Sequence, residues 1–493
     1  MQYRILATAA FVVALSGCTI TPEPLSEAEL ALRADDTLAR VTSGQEPVSR
    51  QISLYEAMAR ALKYNLDYRI EIYARTLADA KLDLARADLL PDLVANADAS
   101  GRKKGAYSFS KTLSGIHSLE PSTSREQDNL SKDITFSWHI LDFGLSWVRA
   151  RQAADRSMLA EEQKRKVINR VIEDVRTAYW RAVSADRLLA GFQKLEKRAE
   201  AALGNSRTLQ RQGYTSPLAA LTYQRELVDI KRQIQNLERE LSTAKVQLAA
   251  LMNVNPGEKY SLVVPGRKLE SLELKIPANE MVRLALLNRP ELREVAYKQR
   301  INQREAEAAL LELLPGIQLY AGANFDSNSF LLDNNWVSWG AKASWNLMRL
   351  FAYPAKKAVI GSEGDTLDGQ ALATTMAIMT QVEIARMRYH YLRKSAATAA
   401  QYHKVQRQIL EQVRVSADID AASEQSLIRE EMNALVASAE FDVAYSDLQN
   451  AFASIYASIG VDPWGDGLDL SAGVDELSGA LRRTWTERGD NAI

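Results

Sequence analysis

The sequence predicts an internally duplicated α+β protein of 493 residues, each copy running helix, strand, loop, strand and a very long helix that turns back on itself. Three observations predict this. The landmarks of the first half recur in order in the second: Ala61-Leu62 as Ala285-Leu286, Leu89-Leu90-Pro91 as Leu313-Leu314-Pro315, and Val254-Asn255-Pro256 as Val461-Asp462-Pro463. Chance explains one such pair but not three in order, and repeats this long are a duplicated module rather than a solenoid of short units. Four segments switch to an alternation of period two. Between and after them, helical patterning runs unbroken from Leu145 to Gln212 and again from about Ala355 to Ala417.

In chain order, residues 1–17 read as a secretory signal, with Arg4 at its start and an apolar stretch from Ile5 to Leu15. It ends Leu15-Ser16-Gly17-Cys18, which resembles the bacterial lipobox and places the single cysteine where the chain would be cut and the thiol acylated. A plain signal peptide with an incidental cysteine is the alternative. Thr19 after the cysteine fits delivery to the outer membrane, and lipid chains would anchor the protein to a leaflet without spanning it. Residues 18–52, with Pro22, Pro24 and Pro47, read as a polar, lipid-anchored linker.

The first repeat covers 53–256. Its first helix runs from Ser53 to Leu90 and stops at Pro91. A hairpin over 92–143 follows. Leu93, Ala95, Ala97 and Ala99 alternate with Asn96, Asp98 and Ser100; beyond a long polar loop, Ile134, Phe136, Trp138 and Ile140 alternate with Thr135, Ser137 and His139. The long helix then turns near 213–217, where Gly213 permits an unusual backbone angle and Ser216 caps a helix begun by Pro217. The returning helix carries a heptad seam through Ile234, Leu237, Leu241, Ala244, Leu248 and Leu251. The second repeat, 281–463, has its hairpin over 316–348. There Ile317 to Phe325 and Val337 to Leu347 alternate in the same manner, and the turn falls near 416–424. Residues 464–493 show no clear periodicity.

Composition excludes several classes. Lysine and arginine number 61 against 62 aspartate and glutamate, so no basic excess exists to hold nucleic acid. One cysteine precludes an intrachain disulfide, and the four scattered histidines form no metal-binding motif, so no metal or cofactor is expected. There is no P-loop, GxGxxG or GxSxG, which argues against an enzyme, and no apolar run long enough for a membrane-spanning helix.

Strands of this length with one apolar face fit a bilayer, although two amphipathic hairpins on a soluble core share the pattern. An open strand edge cannot face lipid, because its backbone groups find no water there. Four strands cannot close a barrel alone, so hairpins that enter the membrane require several chains. Two chains give eight strands, whose interior side chains fill; three give twelve, wide enough for a lumen.

The helix ending in Leu-Leu-Pro, the strand running into Trp138-His139-Ile140-Leu141-Asp142-Phe143-Gly144, and the Val-Asn-Pro and Val-Asp-Pro endings together resemble the TolC-type outer membrane efflux protein family, over roughly residues 50–465. The resemblance implies a homotrimer: a twelve-stranded barrel in the outer membrane continued by a long helical coiled-coil barrel in the periplasm. It implies a passive duct, driven by an inner-membrane pump or ABC transporter through a periplasmic adaptor, and serving small-molecule efflux or, alternatively, type I protein secretion. A structural coiled-coil lipoprotein without a pore is the third reading. Residues 257–280, with Tyr260, Leu262 and Val264 alternating, are expected in an equatorial belt with the C-terminal tail. The tip Gly213, Tyr214, Thr215, Ser216 and Pro217 matches the family's adaptor-docking pattern, whereas the second tip lacks the usual glycine. Asp418, Asp420 and Glu424 would ring the periplasmic mouth and favour cations, or else sit on a solvated helix cap facing outward. Trp138, Trp339 and Trp345 fit an aromatic girdle at the bilayer edge.

Overall fold

A computed structural model describes residues 22–48, 51–214, 216–267, 269, 276–419, 423–464 and 469–490. The signal segment, Cys18, Thr215, Asp420 and residues 270–275 of the expected belt lie outside the described residues. Elements follow in chain order as α1 (Glu27–Val41), α2 (Leu54–Tyr64), α3 (Leu66–Ala87), β1 (Asp92–Gly101), β2 (Asp128–His139), α4 (Ile140–Arg211) and α5 (Pro217–Leu251). The second half gives α6 (Ala278–Asn288), α7 (Pro290–Leu311), β3 (Gly316–Asp326), β4 (Asn335–Ser344), α8 (Met348–Asp418), α9 (Glu424–Ser458) and α10 (Val474–Asp490).

The duplication is visible element by element, with one correction to the expected pattern. The helix expected over Ser53–Leu90 is two helices. Asn65 adopts extended angles (φ −60°, ψ 128°), ends α2 and caps α3 through its side-chain oxygen, which accepts from the Tyr68 amide at 3.1 Å. Its amide also donates to the Leu251 carbonyl (3.0 Å), which ties the break to the end of α5. The second copy breaks at Arg289, held extended by the following Pro290. α4 and α8, at 72 and 71 residues, each extend about 100 Å.

The four strands form one antiparallel sheet in the order β1-β2-β3-β4. The helices nearest the sheet pack in the parallel order α3-α4-α7-α8, so sheet and helical layer are open at the same two sides. Farther along, α5 packs on α4 and α9 on α8, while α4 and α9 join the two hairpins.

The main core gathers at the middle of the molecule, where Ile52, Met58, Tyr179, Leu248, Met252, Leu262 and Met281 are fully buried. A second core of Phe192, Leu195, Leu227, Ile234, Ile428 and Met432 fills the seam between the hairpins below. The described part of residues 257–269 includes an extended strap. Ile52 pairs with Leu262 as a β-bridge, and the buried Tyr179 hydroxyl donates to the Val263 carbonyl at 2.8 Å. Desolvation pushes that phenol well above the ordinary tyrosine range. The segment read as a polar linker contains α1, opened by a capping box between Ser26 and Glu29. The unassigned tail contains α10, which packs on α2 and places Trp485 under Arg176 (4.2 Å) and against Tyr456.

Candidate conduit: strands, tips and mouth

Register sorts the strand residues onto two faces, because directly opposed residues share a face. Phe136 opposes Leu93 and Ala321, which in turn opposes Trp339; Ile134 opposes Ala95 and Ala323, which opposes Val337; Trp138 opposes Leu319, which opposes Ala341. This face is apolar, and its β2 side chains are the exposed ones. On the other face Asp133 opposes Asn96 and Asn324, Thr135 opposes Val94 and Gly322, and Ser137 opposes Asp92 and Tyr320. The β2 members of this face are half-buried. Its polar groups satisfy one another: Asn96 donates to Asp133 (3.0 Å), Thr135 donates to the same oxygen (2.8 Å), and Asn324 donates to Ser338 (2.9 Å).

The three tryptophans occupy different heights. Trp138 stands at the helix end of β2, and Trp345, just past β4, donates its indole N–H to the Leu313 carbonyl at 2.9 Å. Trp339 instead sits in the middle of the apolar face, between the Val337 and Ala341 rows, within the belt rather than at its rim. Both Trp339 and Trp345 are exposed.

At the far end, Gly213 takes the left-handed conformation (φ +78°) and the Tyr214 amide reaches back to the Leu209 carbonyl, closing α4 in a Schellman-type turn. The Ser216 side chain caps α5, Pro217 opens it, and Tyr214 projects into solvent. At the second tip Asp418 is the last residue of α8 and Glu424 the first of α9; both are exposed. The two carboxylates are not equivalent. Glu424 lies at a helix N-terminus, beside the cap Ser423, where a negative charge is favourable, whereas Asp418 faces the negative end of its helix.

The charged pairs that join the two hairpins just above these tips were not foreseen from sequence. Glu226 of α5 accepts from Arg429 of α9 in a bidentate pair and from Gln425 (2.8 Å). The Arg429 hydrogen bonds hold the Glu226 carboxyl below its ordinary value of 4.5. One step farther from the tip, Glu431 of α9 lies between Arg198 of α4 and Arg414 of α8. The signal was present as charges beside the heptad seam, but partners two hundred residues apart cannot be matched from spacing.

A sheet with an exposed apolar face and a half-buried polar face, continued by helices of about 100 Å, defines the class: a protomer whose sheet and helical layer are both left open at their sides. The outer membrane efflux protein family model matches residues 57–254. Over those residues, fewer than half of the chain, the sequence is similar to that family. Solved structures share the fold. The Campylobacter jejuni CmeC outer membrane channel aligns with a TM-score of 0.66 at 16% identity, covering 95% of this chain and 98% of its own. The open state of the Neisseria gonorrhoeae MtrE outer membrane channel aligns with a TM-score of 0.62 at 15% identity, covering 86% and 95%. The outer membrane protein VceC from Vibrio cholerae gives 0.60 at 12% identity, covering 83% and 96%. No curated protein sequence matches the chain.

Proposed function

We propose that three copies close into a twelve-stranded barrel in the outer membrane, continued by a periplasmic helical barrel, and that this duct passively conducts small molecules delivered by an adaptor and an inner-membrane pump. The observation that carries the reading is the open edge repeated in two layers. β1 and α3 bound the protomer on one side, β4 and α8 on the other, so each copy offers unlike edges that suit head-to-tail closure of a ring. Both helical edges carry exposed apolar side chains: Ile70, Tyr73, Leu77 and Leu84 on α3, Leu372, Met376 and Ile384 on α8. Three copies leave a lumen lined by the polar sheet face, where two would fill with side chains.

Within this reading Cys18 is lipidated and holds the N-terminus in the inner leaflet of the outer membrane. The Gly213–Pro217 tip, with Tyr214 exposed, is the adaptor-docking point. Asp418 and Glu424, with Asp420, line the mouth and favour cations, and Trp138 and Trp345 mark the periplasmic edge of the bilayer.

The test is the susceptibility of a deletion strain to dyes, detergents, antibiotics and metal ions. Hypersensitivity restored by the wild-type gene supports efflux. An unchanged profile with loss of a secreted polypeptide overturns it in favour of protein secretion, and a purified protein without conductance in planar bilayers overturns the duct itself.

A further inference from the structure

The loop between β1 and β2 reads as polar in the sequence, yet the structure folds much of it into an amphipathic arm. Ser108 and Ser122 exchange two backbone hydrogen bonds (2.9 and 3.0 Å), Lys111 bridges His117, and the ribbon turns at Gly115 (φ +89°). Ser108, Ser110, Ser118 and Ser122 form its paired rows. Between those rows and at the tip, Tyr107, Phe109, Leu113, Ile116 and Leu119 are all more than half exposed, Leu113 and Leu119 fully so. A short ribbon in water gains nothing by leaving five large apolar side chains mostly exposed.

The root of the arm is fixed, which sets where the arm can go. Asn328 of the second hairpin loop donates to the Ser124 carbonyl (2.9 Å), Ser327 accepts from the Leu130 amide (2.8 Å), and Ser329 donates to Glu126. Charge then selects the partner. Between β1 and β2 stand Arg102, Lys103, Lys104, Lys111 and Arg125 against Glu120 and the already engaged Glu126, in a chain that is otherwise balanced. Lys132 continues the bias onto the membrane-facing side of β2, in the row opposite Ala97 and Phe325, one row outward of the wholly apolar Ile134 row. A lysine there extends its amine past the hydrocarbon toward the head groups.

We infer that this arm, residues 102–127, lies on the outward-facing lipid surface, its cations meeting lipid phosphates and its aromatic and aliphatic side chains entering the head-group layer. The inference rests on the barrel reading above. It combines the two features that hold interfacial segments to membranes, buried apolar area and attraction of lysine and arginine to anionic lipid. It predicts a contact that weakens with salt.

The test uses the full-length protein carrying one fluorescent label at Leu119→Cys, reconstituted in phosphatidylcholine vesicles with and without phosphatidylglycerol. With the anionic lipid, the label should be quenched by a nitroxide on the acyl chains and shielded from iodide. Replacing Lys103, Lys104 and Lys111 by Gln should lower the ratio of lipid-bound to free arm, roughly fivefold for each cation at low salt. A label open to iodide in anionic vesicles overturns the inference. So does energy transfer between labels on neighbouring copies that persists regardless of lipid, which would place the arms together over the duct. A second label at Val337→Cys, on the apolar face of β4, separates the two levels. If it meets the lipid-borne quencher while the Leu119 label does not, only the arm proposal falls; if neither does, the barrel reading falls and the arm with it.

Discussion

At the scale of single residues, the sheet's close approaches are made at glycines. A side chain at Gly340 would lie 2.6 Å from the Tyr320 hydroxyl, so the phenol rests across the bare backbone of β4 on the polar face. At Gly322 the obstruction is the Thr135 hydroxyl at 2.9 Å and the Ile134 carbonyl at 3.2 Å, and backbone cannot swing away. Gly322→Val should therefore destabilise the folded protein by about 1–3 kcal/mol, measured as a lowered thermal unfolding midpoint in detergent. Gly340→Val should perturb it less, because Tyr320 can rotate. At the tip, Gly213→Ala meets open space but keeps the left-handed angle, which costs about 1–2 kcal/mol. That substitution should weaken adaptor binding in a pull-down while leaving barrel stability unchanged. Gly213, Ser216 and Pro217 were legible beforehand because turn and cap chemistry is local. The Gly340–Tyr320 contact was not, since it depends on strand register across a hairpin.

Elements were legible to the degree that their signals were periodic. The four strands and both long helices announce themselves, as does the heptad seam whose Ile234 and Leu248 are fully buried. The breaks at Asn65 and Arg289 differ in this respect: Pro290 marks the second, whereas the first depends on a side chain that bonds the end of α5. α1 was masked by its flanking prolines, although the Ser26–Glu29 capping box that opens it is a local signal, whereas α10 is held by its packing on α2, which spacing does not reveal. The hairpin pair α4–α5 and the pair α8–α9 meet through Glu226 and Arg429 close to the tips, and this pairing holds the protomer in one arrangement there. Glu226→Ala should loosen the tips and raise conductance in planar bilayers. A charge exchange, Glu226→Arg with Arg429→Glu, should bring the conductance back toward the wild-type level. Because the Arg429 contact depresses the Glu226 carboxyl below 4.5, its contribution is complete at neutral pH and is lost as pH falls through that lowered value. Conductance of the wild type should thus rise in acid, and the Glu226→Ala variant should lose that component of the pH response.

At the scale of the whole molecule, sheet and helical layer share a single open order, and this says more about assembly than either does alone. A sheet left open only at its strands could be covered by a loop, but here the helices beneath stop at the same two sides, with apolar side chains on both. Closure by unlike edges requires β1 of one copy to pair with β4 of the next. Ala97→Cys, in the middle of β1, and Val337→Cys, toward the outer end of β4, both lie on the apolar face, each on an edge strand of the protomer. The doubly substituted protein, oxidised in membranes, should yield covalent dimers and trimers and no larger species, while each single substitution yields no head-to-tail product. Sliding the β4 cysteine along alternate positions, Val337, Trp339 and Ala341, locates the register at which cross-linking is fastest. A ladder that stops at two would leave a barrel filled by its own side chains, and one that continues past three would mean the ring does not close. The proposed duct requires three, the count at which the polar face of Asp133, Thr135 and Asn324 would enclose water.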